Sequence, residues 1–131
     1  MCRLLLLVAF ACALASRGAP AAEMLIVVQR SALAGVRHYE AARVWREIRV
    51  GDRLGLVREG SNPYDPSAIR VEWRGRKLGY LPRHDNAGAA RQLDRGVLLE
   101  GRVVELRENR NRSRRIELEI VAPLARLERA E

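Results

Sequence analysis

Cysteine is almost missing from this chain, and where it occurs it is of no use to a folded domain. The 131 residues hold two, Cys2 and Cys12, both inside a leader-like N-terminal stretch. Past position 12 no disulfide, thiolate metal site or cysteine nucleophile can be built. Small domains in oxidising compartments often lean on disulfides, so stability here has to come from apolar packing. Lysine is scarcer still, because Lys77 is the one lysine and every other basic residue is arginine. Imidazoles are limited to His38 and His84, so a zinc site would need carboxylates to complete it, and neither metal nor cofactor is expected. There is no GxxxxGK[ST] phosphate loop, no GxSxG elbow, no HExxH pair and no GxGxxG turn. No plausible nucleophile and base pair stands in for them, so the chain is expected to bind rather than catalyse.

What is present begins with a leader. Arg3 is followed by an apolar run from Leu4 to Ala15, then Ser16-Arg17-Gly18 and the small residues Ala19-Pro20-Ala21-Ala22. That is the layout of a secretory signal peptide over 1–22. A run of twelve apolar residues is short of the roughly 20 that a spanning helix needs, so no membrane span is expected once the leader is removed. Ala13-Leu14-Ala15 and Ala19-Pro20-Ala21 both offer the small residues that a signal peptidase reads. The expected location is periplasmic or extracellular, with a domain over 23–122 and a C-terminal tail over 123–131.

Removing the leader takes away Arg3 and Arg17 and no acid, which leaves 22 basic residues against 16 acidic ones. Such a surface favours an anionic partner over a cationic one. Arginine bias also follows from the base composition of a genome, so charge alone does not choose the partner.

The domain reads as mainly β. Met24 to Gln29 is a continuous apolar strand, and Tyr39 to Ile48 is expected to be a second extended segment. Gly51-Asp52 marks a turn before the strand from Leu54 to Glu59. Gly60-Ser61-Asn62-Pro63-Tyr64-Asp65-Pro66 is the densest turn signal in the chain. From Ala68 to Trp73 the residues alternate, with Ile69, Val71 and Trp73 on one side and Arg70 and Glu72 on the other, as in a half-buried strand. Gly75 allows a tight turn into Lys77 to Leu81, and Pro82 ends that strand. His84 to Arg95 has helical composition with Gly96 as its stop. Leu98 to Leu106 and Arg115 to Val121 form a hairpin around the flexible basic tip 107–114, while Leu124 to Glu131 is a short helix or a frayed tail. About six short strands with one or two short helices favour a small β-barrel over a layered α/β fold. Trp45 and Trp73 are read as packing residues.

Several blocks carry a family resemblance. Ala34-Gly35-Val36-Arg37-His38-Tyr39, Gly51-Asp52-Arg53-Leu54, Arg58-Glu59, Asn62-Pro63-Tyr64-Asp65, Ala68-Ile69-Arg70-Val71 and Leu78-Gly79-Tyr80-Leu81-Pro82 occur in an order and spacing that resembles the HIRAN domain family, over about residues 24–121. Its most specific element is Glu59 followed by Asn-Pro-Tyr-Asp and Ala-Ile-x-Val. The resemblance implies an OB-like β-barrel, found in fork-remodelling helicases and as a stand-alone bacterial domain. In the helicase-linked members it binds single-stranded DNA and captures the 3′ end.

Carried onto this chain, the resemblance makes Asp65 the acceptor for a terminal 3′ hydroxyl, with Asn62 and Tyr64 shaping the pocket. Arg37 and Arg83 would hold phosphates, and Tyr80 would help line the site. His38 stands next to Tyr39 where the DNA-binding members place an aromatic stacking residue, and an imidazole stacks less area than a phenol. Each residue also has a plainer reading. Asn62 and Asp65 suit a turn in which their side chains bond nearby amides. Tyr64 and Tyr80 suit rim or core packing, and Arg37 and Arg83 suit solvated surface charges. Two functions therefore stand side by side: a module for nucleic-acid ends, and an extracytoplasmic interaction module that keeps the barrel but takes another anionic ligand or a protein.

Overall fold

Alternation along the chain is what builds the sheet. The computed structural model describes residues 24–127, so the leader and its two cysteines lie outside the described residues. Six strands form one antiparallel sheet: β1 (Leu25–Ala32), β2 (Arg53–Arg58), β3 (Ile69–Trp73), β4 (Arg76–Tyr80), β5 (Glu100–Glu108) and β6 (Arg114–Pro123), in the order β1-β6-β5-β2-β3-β4. β3 buries Ile69, Val71 and Trp73 and leaves Arg70 and Glu72 half-exposed, as the period of two requires. Ile116, Leu118 and Ile120 of β6 repeat the pattern. These side chains meet Ile48, Leu54, Leu78, Leu81 and Val103 in one core, and Ala89 and Ala90 of a helix cap it.

β2 is the hinge of the sheet. It pairs with β5 only at Arg53 and Leu54, and from Gly55 to Arg58 it pairs with β3. A four-stranded half (β1, β6, β5, β2) and a three-stranded half (β2, β3, β4) therefore share β2 and curl around the core. The expected barrel is not closed, although the fold is OB-like. Its two edges meet in a single bridge, where the amide of Ala34 donates to the carbonyl of Tyr80 at 2.8 Å and the amide of Tyr80 donates back at 3.0 Å. Pro82 explains why the ladder stops there, since it lacks the N–H that a longer β4 would need. The loop after Pro82 covers part of the seam instead. Gln29 Nε2 donates to the Asp85 carbonyl at 2.7 Å, and Ser31 Oγ donates to Asp85 Oδ2 at 3.0 Å.

Tyr39 to Ile48 is not extended. A single 3-10 turn (Val36–His38) leads into the four-residue helix α1 (Ala41–Val44). Ala41, Val44 and Ile48 are buried while the residues between them are exposed or half-buried, which is helical rather than strand spacing. Expected helical residues 84–95 contain α2 (Ala87–Asp94), and α3 (Leu124–Leu127) follows β6 directly. Trp73 is 2 % exposed, and its indole N–H donates to Asp52 Oδ2 at 3.0 Å. Trp45 packs half-buried against the core, so both tryptophans are packing residues.

Candidate functional site

The bridge between Ala34 and Tyr80 brings the two ends of the sheet together, and the polar residues gather beside it. Arg74 and Gly75 have positive φ values of 47° and 78°, the pair that a two-residue hairpin needs, and they connect β3 to β4. In β4, Gly79 faces Val71 and Lys77 faces Glu72, so Leu78 is an extra residue. Such a bulge re-aims side chains. Lys77 and Tyr80, three apart, consequently touch: Lys77 Nζ donates to the Tyr80 hydroxyl at 2.7 Å. Gly79 is required where the chains cross, because a Cβ there would lie 2.3 Å from the Ala34 carbonyl oxygen.

The Tyr80 hydroxyl in turn donates to Glu59 Oε1 at 2.9 Å. Asn62 Nδ2 donates to the same oxygen at 3.1 Å, and Arg70 holds Glu59 Oε2 at 3.0 Å. Burial works against the charge on Glu59, but the bonds from Asn62 and Tyr80 and the charges of Arg70 and Lys77 outweigh it and hold the carboxyl below its ordinary range. Burial likewise opposes the Lys77 ammonium. The bond to Tyr80 and the proximity of Tyr39 and Glu59 prevail there and raise its pKa. Lys77 Nζ also lies 4.1 Å from the Tyr39 ring centre and 4.4 Å from that of Tyr80, and the two rings meet edge to face at 5.9 Å.

The Asn62–Asp65 turn is tied into this group from one side. Asn62 Oδ1 accepts from the amides of Tyr64 at 2.9 Å and Asp65 at 3.2 Å, the turn role that its residue type allows. Asp65 Oδ1 accepts from the Ser67 amide at 2.9 Å, and Oδ2 from Asn86 Nδ2 at 2.7 Å. Both oxygens are thus positioned, yet a carboxylate has about four acceptor directions, so two remain for a ligand.

Of the residues named by resemblance, Asn62, Asp65, Tyr39 and Tyr80 are joined by this network or by ring contact. Arg37 Nε donates to His38 Nε2 at 3.2 Å, and the His38 ring stands 6.4 Å from that of Tyr39. Tyr64 is 84 % exposed, so it is no core residue. Arg83 is exposed and without an ion pair among the described residues, in the same loop as Asn86. Sequence reading passed over Glu59, Arg70, Lys77 and Asn86 as site residues. A lone lysine in an arginine-rich chain was the one signal that pointed to Lys77. Asn86 gave none.

The assembly offers the exposed Tyr64 ring, the partly exposed Tyr39 ring with Lys77 over it, the exposed Arg37 and Arg83, and a fixed carboxylate, which suits recognition of an anionic, base-bearing ligand. The model of one protein family, described as the HIRAN domain, matches residues 26–125. Among solved structures, a protein from Lactobacillus plantarum aligns at 28 % identity and a TM-score of 0.68, covering 76 % of this chain and 96 % of that one. The HIRAN domain of human HLTF aligns at 21 % identity and a TM-score of 0.57, covering 78 % of this chain and 81 % of that one, a likeness of fold. No curated protein matches the chain.

Proposed function

This chain belongs to the HIRAN domain family, and from that premise we propose that it is a nucleic-acid-binding module, without catalytic activity of its own, that takes the 3′ end of a single strand. The observation that carries the reading is the state of Asp65. Its carboxylate is held by Ser67 and Asn86 and still has acceptor capacity, beside a turn that presents the exposed Tyr64 ring. A terminal hydroxyl can donate to such a group, whereas a terminal phosphate is repelled by it. Bases would stack on Tyr39 and Tyr64, and Arg37, Lys77 and Arg83 would face phosphates. With residues 1–22 read as a secretory leader, the module would meet its strand outside the cytoplasm.

The test opposes two mechanisms. A merely basic surface prefers the 3′-phosphate for its extra charge, while the carboxylate pocket prefers the 3′ hydroxyl. Loss of a hydrogen bond to a charged group is worth roughly 1.5–3 kcal/mol, or about ten- to more than a hundredfold in affinity. Titration of the protein with otherwise identical 3′-OH and 3′-phosphate strands should show that preference, and Asp65→Asn should erase most of it. Equal binding, or tighter binding of the phosphate, would leave Asp65 a turn residue and favour the other reading, an interaction module with a different ligand. The specific observation on that side is His38, which offers less stacking surface than a phenol.

A further inference from the structure

The geometry points to a second stretch of phosphate-binding surface on the far side of the Gly35–Tyr39 segment, in the cleft between that segment and the tip of the β5–β6 hairpin. This inference rests on the nucleic-acid reading above and extends it. The cleft has a volume of about 670 Å³ and is walled by Arg37 and His38 on one side and by Asn111, Arg112, Arg114 and Arg115 on the other. That size falls within the range of about 300–1,000 Å³ typical of ligand sites. No acidic residue is among the described residues that line it.

The cations there are not equivalent. Arg114 pairs with Glu108 at 3.2 Å and Arg115 with Glu117 at 3.2 Å, both acids standing outside the lining. Arg37 and Arg112 have no ion pair among the described residues. Arg114 also lies over the Trp45 ring at 5.6 Å, and its Nε is buried with no hydrogen-bond partner among the described residues. The tip that carries these arginines is shaped rather than loose. Asn109 and Ser113 close it with a 2.9 Å backbone bond, and the Ser113 amide donates to Asn111 Oδ1 at 3.2 Å.

Gly35–Tyr39 is the wall between the two regions. Tyr39 faces Tyr80 and Lys77, whereas Gly35 to His38 line the cleft. A strand whose end lies at Asp65 would pass Tyr80 and Tyr39, cross Arg37 and enter the cleft, where Arg112 and Arg114 hold phosphates of nucleotides upstream of the terminal one. Recognition here is of phosphate charge and carries no base information.

Arg112 provides a clean probe, because its φ of 59° is the left-handed conformation that glycine adopts without strain. Arg112→Gly should remove the charge and keep the turn, and Arg112→Glu should repel phosphate. The full chain and both variants are titrated with a 3′-OH dinucleotide, which reaches only the end pocket, and with a 3′-OH strand of about ten nucleotides. The longer strand should bind the wild type more tightly. Arg112→Gly should weaken the longer strand by roughly threefold to tenfold, leave the dinucleotide unchanged and lower the salt slope by about 0.7. Arg112→Glu should weaken it further. If both lengths bind alike and neither variant changes the longer one, the cleft is not part of the path while the end pocket stands. If no strand of either length binds, the nucleic-acid reading fails and the cleft proposal fails with it.

Discussion

The side-chain amide of Asn86, 1 % exposed, donates a 2.7 Å hydrogen bond to Asp65 Oδ2 and so ties the start of α2 to the Asn62–Asp65 turn. Although it stands at the N-cap of α2, its side chain makes no capping bond, which frees the amide to hold a carboxylate 21 residues earlier. Asn86→Ala should leave Asp65 without this donor and cost about 1–3 kcal/mol of stability. It should also weaken the preference for a 3′ hydroxyl, because the acceptor would no longer be fixed. Asn86→Asp should do worse on both counts by setting two carboxylates against each other. Denaturant unfolding together with paired 3′-OH and 3′-phosphate titrations separates the two effects, and unchanged discrimination in a stable Asn86→Ala protein would remove Asn86 from the site.

Glu59 should make stability depend on acid. Its folded pKa is depressed below the ordinary value of 4.5, so its contribution is complete above that value and is lost as pH falls through the folded pKa. The mechanism requires protons to be taken up on unfolding in that window. Asp52 acts in the same direction, since the amide of Arg49 and then the indole of Trp73 hold its carboxyl low against the effect of burial. Glu59→Gln should therefore flatten part of the acid limb of the stability profile and leave the rest to Asp52. An acid limb identical to that of the wild type would show that Glu59 titrates alike in both states.

Gly79→Ala tests the seam. A Cβ 2.3 Å from the Ala34 carbonyl oxygen and 3.1 Å from Leu33 Cγ cannot be accommodated by a side-chain rotation, so the backbone must part. The bridge to Tyr80 should open, at a cost of about 1–3 kcal/mol. Because Tyr80 anchors Glu59 and Lys77, strand binding should fall further than stability does. Protection of the Ala34 and Tyr80 amides against hydrogen exchange gives the direct readout, and retained protection would show that the contact is soft.

Reading residues 1–22 as a secretory leader leads to a simple mass prediction. Protein recovered from an extracytoplasmic fraction should begin between Ser16 and Met24 and lack both cysteines. Intact-mass measurement decides it, and full-length protein found only in the cytoplasm would count against the leader and the location drawn from it.

Much of the fold was open to reading because local chemistry enforced it. Ile69, Val71 and Trp73 alternate, Gly75 takes the positive φ of a tight turn, and Pro82 cannot extend a ladder. Tyr39 to Ile48 was misread because a short segment of mixed apolar residues carries too few periods to separate helix from strand. Only packing against the core showed that Ala41, Val44 and Ile48 share one helical face.

The candidate site divides the same way. Asn62 and Asp65 are visible in the sequence because a turn rich in proline, asparagine and aspartate is a local event. The partners of those residues are not local. Asn86 reaches Asp65 over 21 positions, Tyr80 reaches Glu59 over the same separation, and Lys77 meets Tyr80 only because an extra residue in β4 shifts the phase of the strand. The sequence by itself determined the strands, the turns, the arginine-rich surface and the lack of thiols in the domain, since each follows from residue type and short-range spacing. Tertiary structure alone decided that the edges of the open sheet touch at one bridge rather than along a ladder, and which charges neutralise one another, leaving Arg37, Arg83 and Arg112 among those without an ion pair in the described residues. Those outcomes depend on which distant segments meet, and no short-range spacing encodes that.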